Sequence, residues 1–297
     1  MRVGTAPITW GVCEIPGWGP QLPYSRVLDE MAAAGYAGTE LGPEGYFPRD
    51  PDRLRDELDR RGLAMIAAFV PVNLRDPEAV DRSLAAVDDT ARLLARLGAA
   101  CIVLADDGDA ARQQVAGRVQ LTETHGLSAS QWRTMAGALH QAADRAADLG
   151  IAVCVHPHGG TYIENPAEIR RLMESTDPSR IRLCLDTGHI AFGGGDPLAL
   201  ARKYAGRIGL VHLKDIALDR LRQGVAQGHG YTRMAQEGVF VELGTGSLDL
   251  KSIVGELDAA GYEGWLVVEQ DRVVKPDDDT LGVARRNRRY LREALNL

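Results

Sequence analysis

Ionisable side chains follow directly after several short apolar segments of this sequence. In "VCVHPHGG" the apolar residues are followed by His156 and His158, and in "LCLDTGH" by Asp186 and His189. Ionisable residues also follow or end apolar segments elsewhere in the chain, at Glu40, His212, Lys214, Glu269 and Asp271. Carboxylates and neutral imidazoles that converge from neighbouring segments form the donor set of a divalent metal. One such residue alone would be an ordinary capping or hydrogen-bonded group, but their recurrence indicates a metal centre.

Three of these residues form the core of the predicted metal site. Asp186, His212 and Glu269 end three consecutive strand-like segments, and carboxylates buried together without a counter-charge would be costly. Two candidates for the fourth ligand stay open, His156 at a segment end and Glu164 eight residues later. The two glycines between them permit a tight reversal of the chain. Three oxygens and one nitrogen suit Mn²⁺, Mg²⁺ or Co²⁺, which favours Glu164.

Short apolar segments alternate with longer amphipathic ones along the chain. The predicted strands cover residues 2–10, 38–42, 64–72, 100–106, 151–157, 181–187, 207–215 and 265–271. The helical patterns between them mostly start at Asn, Asp or Ser and stop at Gly, the usual helix punctuation. Eight strands alternating with eight helices predict one (β/α)₈ TIM barrel over residues 1–297. In such a barrel the active site lies at the C-terminal ends of the strands, where the ionisable residues are found.

Other segments at the same end of the predicted barrel are candidates for substrate contact. Residues 216–246 are far longer than a typical βα loop, and we interpret them as a candidate lid. The side chains expected to face a substrate are Trp10, Glu40, His189 and Glu242.

The composition excludes several classes of partner. A formal net charge of -7 argues against a nucleic-acid or anionic-membrane surface, since both need clustered Lys and Arg. The four cysteines form no Cys-x-x-Cys pair, and we interpret them as small core residues in a reducing compartment. The sequence has no long apolar segment and starts without a signal-peptide pattern, which predicts a cytoplasmic protein. A homo-oligomer stays an open alternative to a monomer.

Six motifs give the chain a resemblance to a known family. They are "APITWG", "GYAGTELGPEGYFP", "HPHGGTYIE", "LCLDTGH", "VHLKD" and "GWLVVEQD". With them the whole chain resembles the xylose-isomerase-like barrels, and it looks most like the inosose (2-keto-myo-inositol) dehydratase group. That resemblance implies one divalent metal held by Glu, Asp, His and Glu at strands five to eight. Asp186, His212 and Glu269 match, whereas His156 stands at the usual glutamate position, so that Glu164 becomes the expected replacement.

The resemblance implies a metal-dependent lyase that dehydrates a keto-inositol or similar keto-sugar through a metal-stabilised enediolate. Mn²⁺ is the expected ion, with Co²⁺ and Mg²⁺ as alternatives. His158 or His156 would remove the proton next to the ketone, and Lys214 or Glu242 would donate one to the leaving hydroxyl. An isomerase or epimerase of the same family would share nearly the whole site and is the main alternative.

Two further classes of protein are weaker alternatives. A DNA-repair nuclease is disfavoured by the acidic balance of the chain and by the single predicted set of metal ligands. A non-catalytic barrel that has kept its metal site is disfavoured because a candidate base and a candidate lid are both present.

Overall fold

The computed structural model describes residues 1–275 and 277–297 of the chain. Its strands are Arg2–Thr5 (β1), Gly38–Thr39 (β2), Ala64–Met65 (β3), Phe69–Val72 (β4), Cys101–Asp106 (β5), Ala152–Val155 (β6), Ile181–Asp186 (β7), Ile208–Leu213 (β8), Asp215–Ile216 (β9), Phe240–Val241 (β10) and Trp265–Val268 (β11). Nine of them form one parallel sheet in the order β3-β2-β1-β11-β8-β7-β6-β5-β4.

The two outer strands of this order, β3 and β4, belong to one predicted strand, residues 64–72. β3 pairs with β2, and β4 pairs with β5. Between the halves, the carbonyl oxygen of Ala67 accepts a hydrogen bond from Leu41 N–H, and that of Ala68 accepts one from Val103 N–H. The sheet therefore closes on itself, and the predicted (β/α)₈ TIM barrel is confirmed.

The observed strands are shorter than the predicted ones, mainly at their C-terminal ends. The first predicted strand, residues 2–10, stops at Thr5 because Pro7–Trp10 forms a 3₁₀ helix. Pro7 has no N–H to donate to a neighbouring strand, but its fixed φ suits the first position of a helix.

The helices are Tyr24–Ala34 (α1), Pro51–Asp59 (α2), Pro77–Arg96 (α3), Ala110–Gln114 (α4), Val119–Thr124 (α5), Ala129–Ala147 (α6), Pro166–Ser175 (α7), Thr187–Phe192 (α8), Pro197–Tyr204 (α9), Leu218–Ala226 (α10), Tyr231–Gln236 (α11), Leu250–Ala259 (α12) and Thr280–Leu295 (α13). All the predicted helices are present, as α1, α2, α3, α6, α7, α9, α12 and α13. Except for α1, each begins after a side chain that accepts a hydrogen bond from a backbone N–H of the first turn. The other helices lie in the loops that follow the strands.

The long segment 216–246 is folded and carries two of these additional helices, α10 and α11. β9 and β10 pair antiparallel at its base, with Ile216 opposite Phe240. The helices lie between the two strands in sequence, and Tyr231, Met234 and Phe240 are buried in a cluster with Trp18 of the first loop. The segment is thus a packed part of the barrel mouth.

The barrel interior below the mouth is apolar. Cys101, Cys154 and Cys184 are buried there with Leu210 and Val267. All four cysteines are free and buried, as predicted for core residues. None of the described helices is long and apolar enough to cross a membrane.

Candidate active site

Four ionisable side chains meet at the C-terminal end of the barrel. Asp186 is the last residue of β7 and lies in register with His212 of β8. His156 directly follows β6, and Glu269 directly follows β11. Because β6, β7, β8 and β11 are successive neighbours in the parallel sheet, their C-terminal ends share one edge.

These four side chains are close enough to bind one ion. His212 Nδ1 lies 3.2 Å from Glu269 Oε2 and 3.6 Å from Asp186 Oδ2. His156 Nε2 lies 3.3 Å from Asp186 Oδ2, and one ligand atom from each residue lies within 4.8 Å of the others. In the described part of the chain, Asp186 Oδ2 and His212 Nδ1 are buried without a hydrogen-bond partner. A divalent cation would satisfy both atoms, so the residues present fit such an ion.

The carboxylate of Glu40 orients one of these side chains. Glu40 Oε1 accepts a 2.8 Å hydrogen bond from His212 Nε2, which leaves Nδ1 facing Asp186 and Glu269. Burial alone would lower the pKa of His212, but neighbouring acidic groups, Glu269 and Glu40 among them, raise it well above its ordinary value. A cation at Nδ1 would thus take the place of a proton. Glu40, predicted to contact substrate, instead binds the candidate metal ligand His212 on the side of the ring away from the cluster.

Replacing Glu40 with glutamine is expected to weaken divalent-metal binding about 10-fold, and replacing it with alanine up to about 100-fold. Glutamine keeps an oxygen acceptor for His212 but loses the charge, whereas alanine loses both. Competition against a chelating dye measures the affinity for the metal ion. The control is Glu256→Gln, because the Glu256 carboxylate lies at the surface and pairs with Arg202. An alanine variant with unchanged affinity would contradict the orienting role.

A second group of side chains lies beside the metal cluster. His189 Nδ1 accepts a 3.1 Å hydrogen bond from Gly159 N–H, so its proton is on Nε2, 3.3 Å from Asp271 Oδ2. His158 Nδ1 donates to the carbonyl oxygen of Gly159 at 2.9 Å, and its Nε2 therefore carries a lone pair. Burial, and then the adjacent His189, lower the pKa of His158 well below its ordinary value. The imidazole of His158 is thus neutral, and it is half-buried whereas the other site histidines are buried.

Lys214 balances the negative charge of the site. Its Nζ lies 2.8 Å from Asp271 Oδ1 and 3.1 Å from Glu269 Oε2. It also lies 3.4 Å from Asp186 Oδ2. Burial alone would lower the pKa of Lys214, but these three carboxylates raise it above its ordinary value. The ammonium is therefore held charged, which makes it a poor proton donor and does not support the donor role predicted for it.

Comparisons with known proteins identify the family of the chain. A family model for the xylose isomerase-like TIM barrel matches residues 28–294. The chain belongs to this family. An inosose dehydratase of Geobacillus kaustophilus (strain HTA426) is 34% identical over 272 residues, which cover 92% of this chain and 88% of the relative. The rhizopine catabolism protein MocC of Rhizobium meliloti is 36% identical over 92% of this chain and 82% of its own length.

The fold is also found in solved structures of the xylose isomerase-like barrels. The crystal structure of the IolI protein with a bound zinc atom matches with a TM-score of 0.72 at 14% identity, covering 100% of this chain and 98% of that one. Both levels of the predicted resemblance, to the xylose-isomerase-like barrels and to the inosose dehydratase group, are confirmed.

In this xylose isomerase-like barrel, Glu164 does not reach the metal cluster. The chain does reverse at the twin glycines, but the Glu164 carboxylate then accepts hydrogen bonds from Gly160 N–H at 2.5 Å and Gly117 N–H at 3.0 Å. Burial raises the pKa of Glu164 to about 7, although these two donors lower it. The fourth position of the cluster is occupied by His156, so the preference for Glu164 requires correction.

Two other predicted contacts point away from the cluster. Trp10 is buried in the core, and its Nε1 donates to Glu30 Oε2 of α1 at 2.8 Å. Glu242 forms a two-pronged ion pair with Arg286 of α13, with distances of 2.7 and 2.9 Å. Both side chains find a partner on an outer helix, which the sequence around them does not indicate. Neither the substrate contact predicted for both nor the proton transfer predicted for Glu242 is supported by these positions.

The loop that carries the two catalytic candidates of β6 is fixed by a buried carboxylate of β5. Asp106 Oδ1 accepts hydrogen bonds from Tyr162 N–H at 3.1 Å and Gly108 N–H at 2.9 Å. Its Oδ2 pairs with Arg75 at 2.6 Å. This strand end therefore contributes an anchor for the loop rather than a metal ligand.

Aromatic residues at the mouth were missed by the sequence analysis. Phe69 of β4 lies with its ring centroid 5.8 Å from that of His158. Phe240 of β10 lies 5.0 Å from the ring of His189, and Tyr231 of α11 donates a 2.7 Å hydrogen bond to Asp271 Oδ2. The inward alternation of strand residues could have identified Phe69. The other two depend on how the 216–246 segment returns over the mouth, for which the sequence has no local signal.

Proposed function

We propose that this protein is a metal-dependent dehydratase that removes water from a keto-inositol or a similar keto-sugar. The observation that carries the proposal is the pairing of the four-residue metal cluster with His158, a neutral imidazole whose Nε2 carries a lone pair. The 34% identity to a protein named inosose dehydratase, over 92% of this chain, supports the substrate class.

His156, Asp186, His212 and Glu269 would hold the ion. When bound, a divalent cation polarises the ketone of the substrate and makes the neighbouring C–H bond more acidic. Two imidazoles and two carboxylates are a softer donor set than the three oxygens and one nitrogen expected from the sequence. That set favours Mn²⁺ or Co²⁺ over Mg²⁺.

His158 would act as the general base. Its Nδ1 proton is engaged by the carbonyl oxygen of Gly159, so Nε2 is the nitrogen that accepts the proton from the substrate carbon. Its ring stacks on that of His189 at 3.9 Å between centroids, and His189 is itself held by a hydrogen bond from Gly159 N–H. The base is thereby held in one tautomer and one orientation.

The residues above the cluster would exclude water during the reaction. Trp18, Phe192, Tyr231 and Phe240 form an apolar group that spans the first loop, α8 and the 216–246 segment. Because the cluster beneath is buried, substrate entry requires this group to separate. We propose that the 216–246 segment is the moving part, which gives it the function of a lid.

The test is to incubate the protein with Mn²⁺ and 2-keto-myo-inositol in D₂O and to record proton NMR spectra with time, with and without EDTA. We expect loss of ring signals and growth of a deoxy-diketone or enol product, blocked by EDTA. Deuterium incorporation or epimer formation without water loss would instead assign the site to an isomerase or epimerase. A spectrum that does not change would overturn the proposed substrate class.

A further inference from the structure

The hydroxyl group of Tyr231 lies between two residues of the candidate active site. Tyr231 Oη is 2.7 Å from Asp271 Oδ2 and 3.5 Å from His158 Nε2. The side chain is 2% exposed, and its ring packs edge-on against Phe192 of α8 with centroids 5.5 Å apart. Since Tyr231 is the first residue of α11, the 216–246 segment places this hydroxyl next to the base.

Dehydration needs a proton donor as well as a base, and the donors expected from the sequence are unsuitable. The Lys214 ammonium is held by three carboxylates, and Glu242 is paired with Arg286 at the surface. The proton of His189 Nε2 faces Asp271. In the described part of the chain, Tyr231 is the O–H group that lies next to His158 Nε2.

We propose that Tyr231 donates the proton that converts the departing hydroxyl of the substrate into water. This inference rests on the proposed dehydratase function. His158 Nε2 takes the proton from the carbon next to the ketone, and the electron pair of that C–H bond forms an enediolate. The enediolate expels the β-hydroxyl with the electron pair of the broken C–O bond, and Tyr231 protonates that oxygen.

The phenolate left on Tyr231 is reprotonated by the His158 imidazolium across the 3.5 Å contact. One hydrogen and one hydroxyl leave the substrate as water, and both side chains return to their starting state. The negative charge of Asp271 disfavours a lasting phenolate and so promotes this return. When the Tyr231 hydrogen turns towards the substrate, Asp271 keeps Lys214 as its partner.

The test compares two reactions of the same Mn²⁺-loaded protein in D₂O, exchange of the substrate α-hydrogen and loss of water. In Tyr231→Phe, which removes a single oxygen, we expect water loss to fall by about 10²-fold or more, the usual contribution of a general acid. Exchange should continue close to the wild-type rate, so that recovered keto-inositol becomes deuterated. Tyr262→Phe, whose hydroxyl bonds to the Trp265 carbonyl oxygen, should leave both rates unchanged.

Two outcomes would overturn the assignment of Tyr231 as proton donor. One is water loss by Tyr231→Phe at the wild-type rate. The other is a parallel fall of exchange and water loss, which would indicate a structural role for the hydroxyl. Failure of the proposed function is a separate result, because then the wild-type protein neither exchanges the α-hydrogen nor releases water.

Discussion

Replacing Asp186 with asparagine is expected to abolish tight divalent-metal binding and to lower turnover on the order of 10³-fold or more, since metal activation contributes several kcal/mol. Asp186 Oδ2 is central to the cluster, with His156 Nε2 at 3.3 Å and His212 Nδ1 at 3.6 Å. The other oxygen, Oδ1, accepts a 2.7 Å hydrogen bond from His189 N–H at the start of α8. Asparagine can keep that cap, so the variant tests the charge rather than the fold.

Metal content after equilibrium dialysis, measured with the turnover rate, checks this prediction for Asp186→Asn. Glu242→Gln is the matched control, because that carboxylate pairs with Arg286 at the surface. It should retain one metal ion per chain and wild-type turnover. An Asp186→Asn protein that still binds one ion with wild-type affinity would show that the ligand set has been assigned wrongly.

Replacing His158 with glutamine is expected to leave metal binding intact and to lower both exchange of the α-hydrogen and water loss by about 10²–10⁴-fold. In the proposed mechanism His158 contributes the neutral nitrogen that removes the proton, and it is absent from the four-residue metal cluster. Glutamine offers an amide hydrogen that can replace Nδ1–H in the contact with Gly159, but it has no basic nitrogen. The variant should thus separate proton removal from metal binding.

The same NMR experiment in D₂O measures both rates for His158→Gln. His229→Gln is a suitable control, because His229 pairs with Glu237 at 2.9 Å on the surface of the 216–246 segment. If exchange persists in the His158 variant, another residue is the base. Both this variant and Asp186→Asn should lose turnover, but only Asp186→Asn should lose the ion.

The positions of the metal candidates could be predicted from the sequence because strand ends are local features. The apolar segments before His156, Asp186, His212 and Glu269 all end within one or two residues of those side chains. A closed parallel barrel then brings these ends to one edge, whatever the details of the loops. The register between neighbouring strands then places their last residues side by side, as with Asp186 and His212.

The directions of side chains in loops could not be predicted in the same way. Glu164 and His156 were both plausible from the sequence, and the choice depends on two backbone N–H groups, at Gly160 and Gly117, that capture the Glu164 carboxylate. Trp10 and Glu242 likewise turn towards residues far away in sequence. The direction of each of these side chains is determined by its tertiary partner, and the local sequence pattern does not indicate that partner.

The role of Glu40 and the position of Tyr231 required long-range geometry as well. Glu40 is separated from His212 by 172 residues, and only the closed barrel joins β2 to the far side of that imidazole. Tyr231 reaches Asp271 because two short strands and two helices fold the 216–246 segment back over the mouth. The length of that segment predicted that it covers the mouth, but not that it places Tyr231 next to the site.

We propose that His156, Asp186, His212 and Glu269 together hold the catalytic ion. Anomalous diffraction from crystals grown with Mn²⁺ tests it most directly. We expect one anomalous peak per chain, within coordination distance of Asp186 Oδ2, Glu269 Oε2 and one nitrogen of each imidazole. A peak bound by Glu164 instead, or no peak at the ends of these strands, would contradict it.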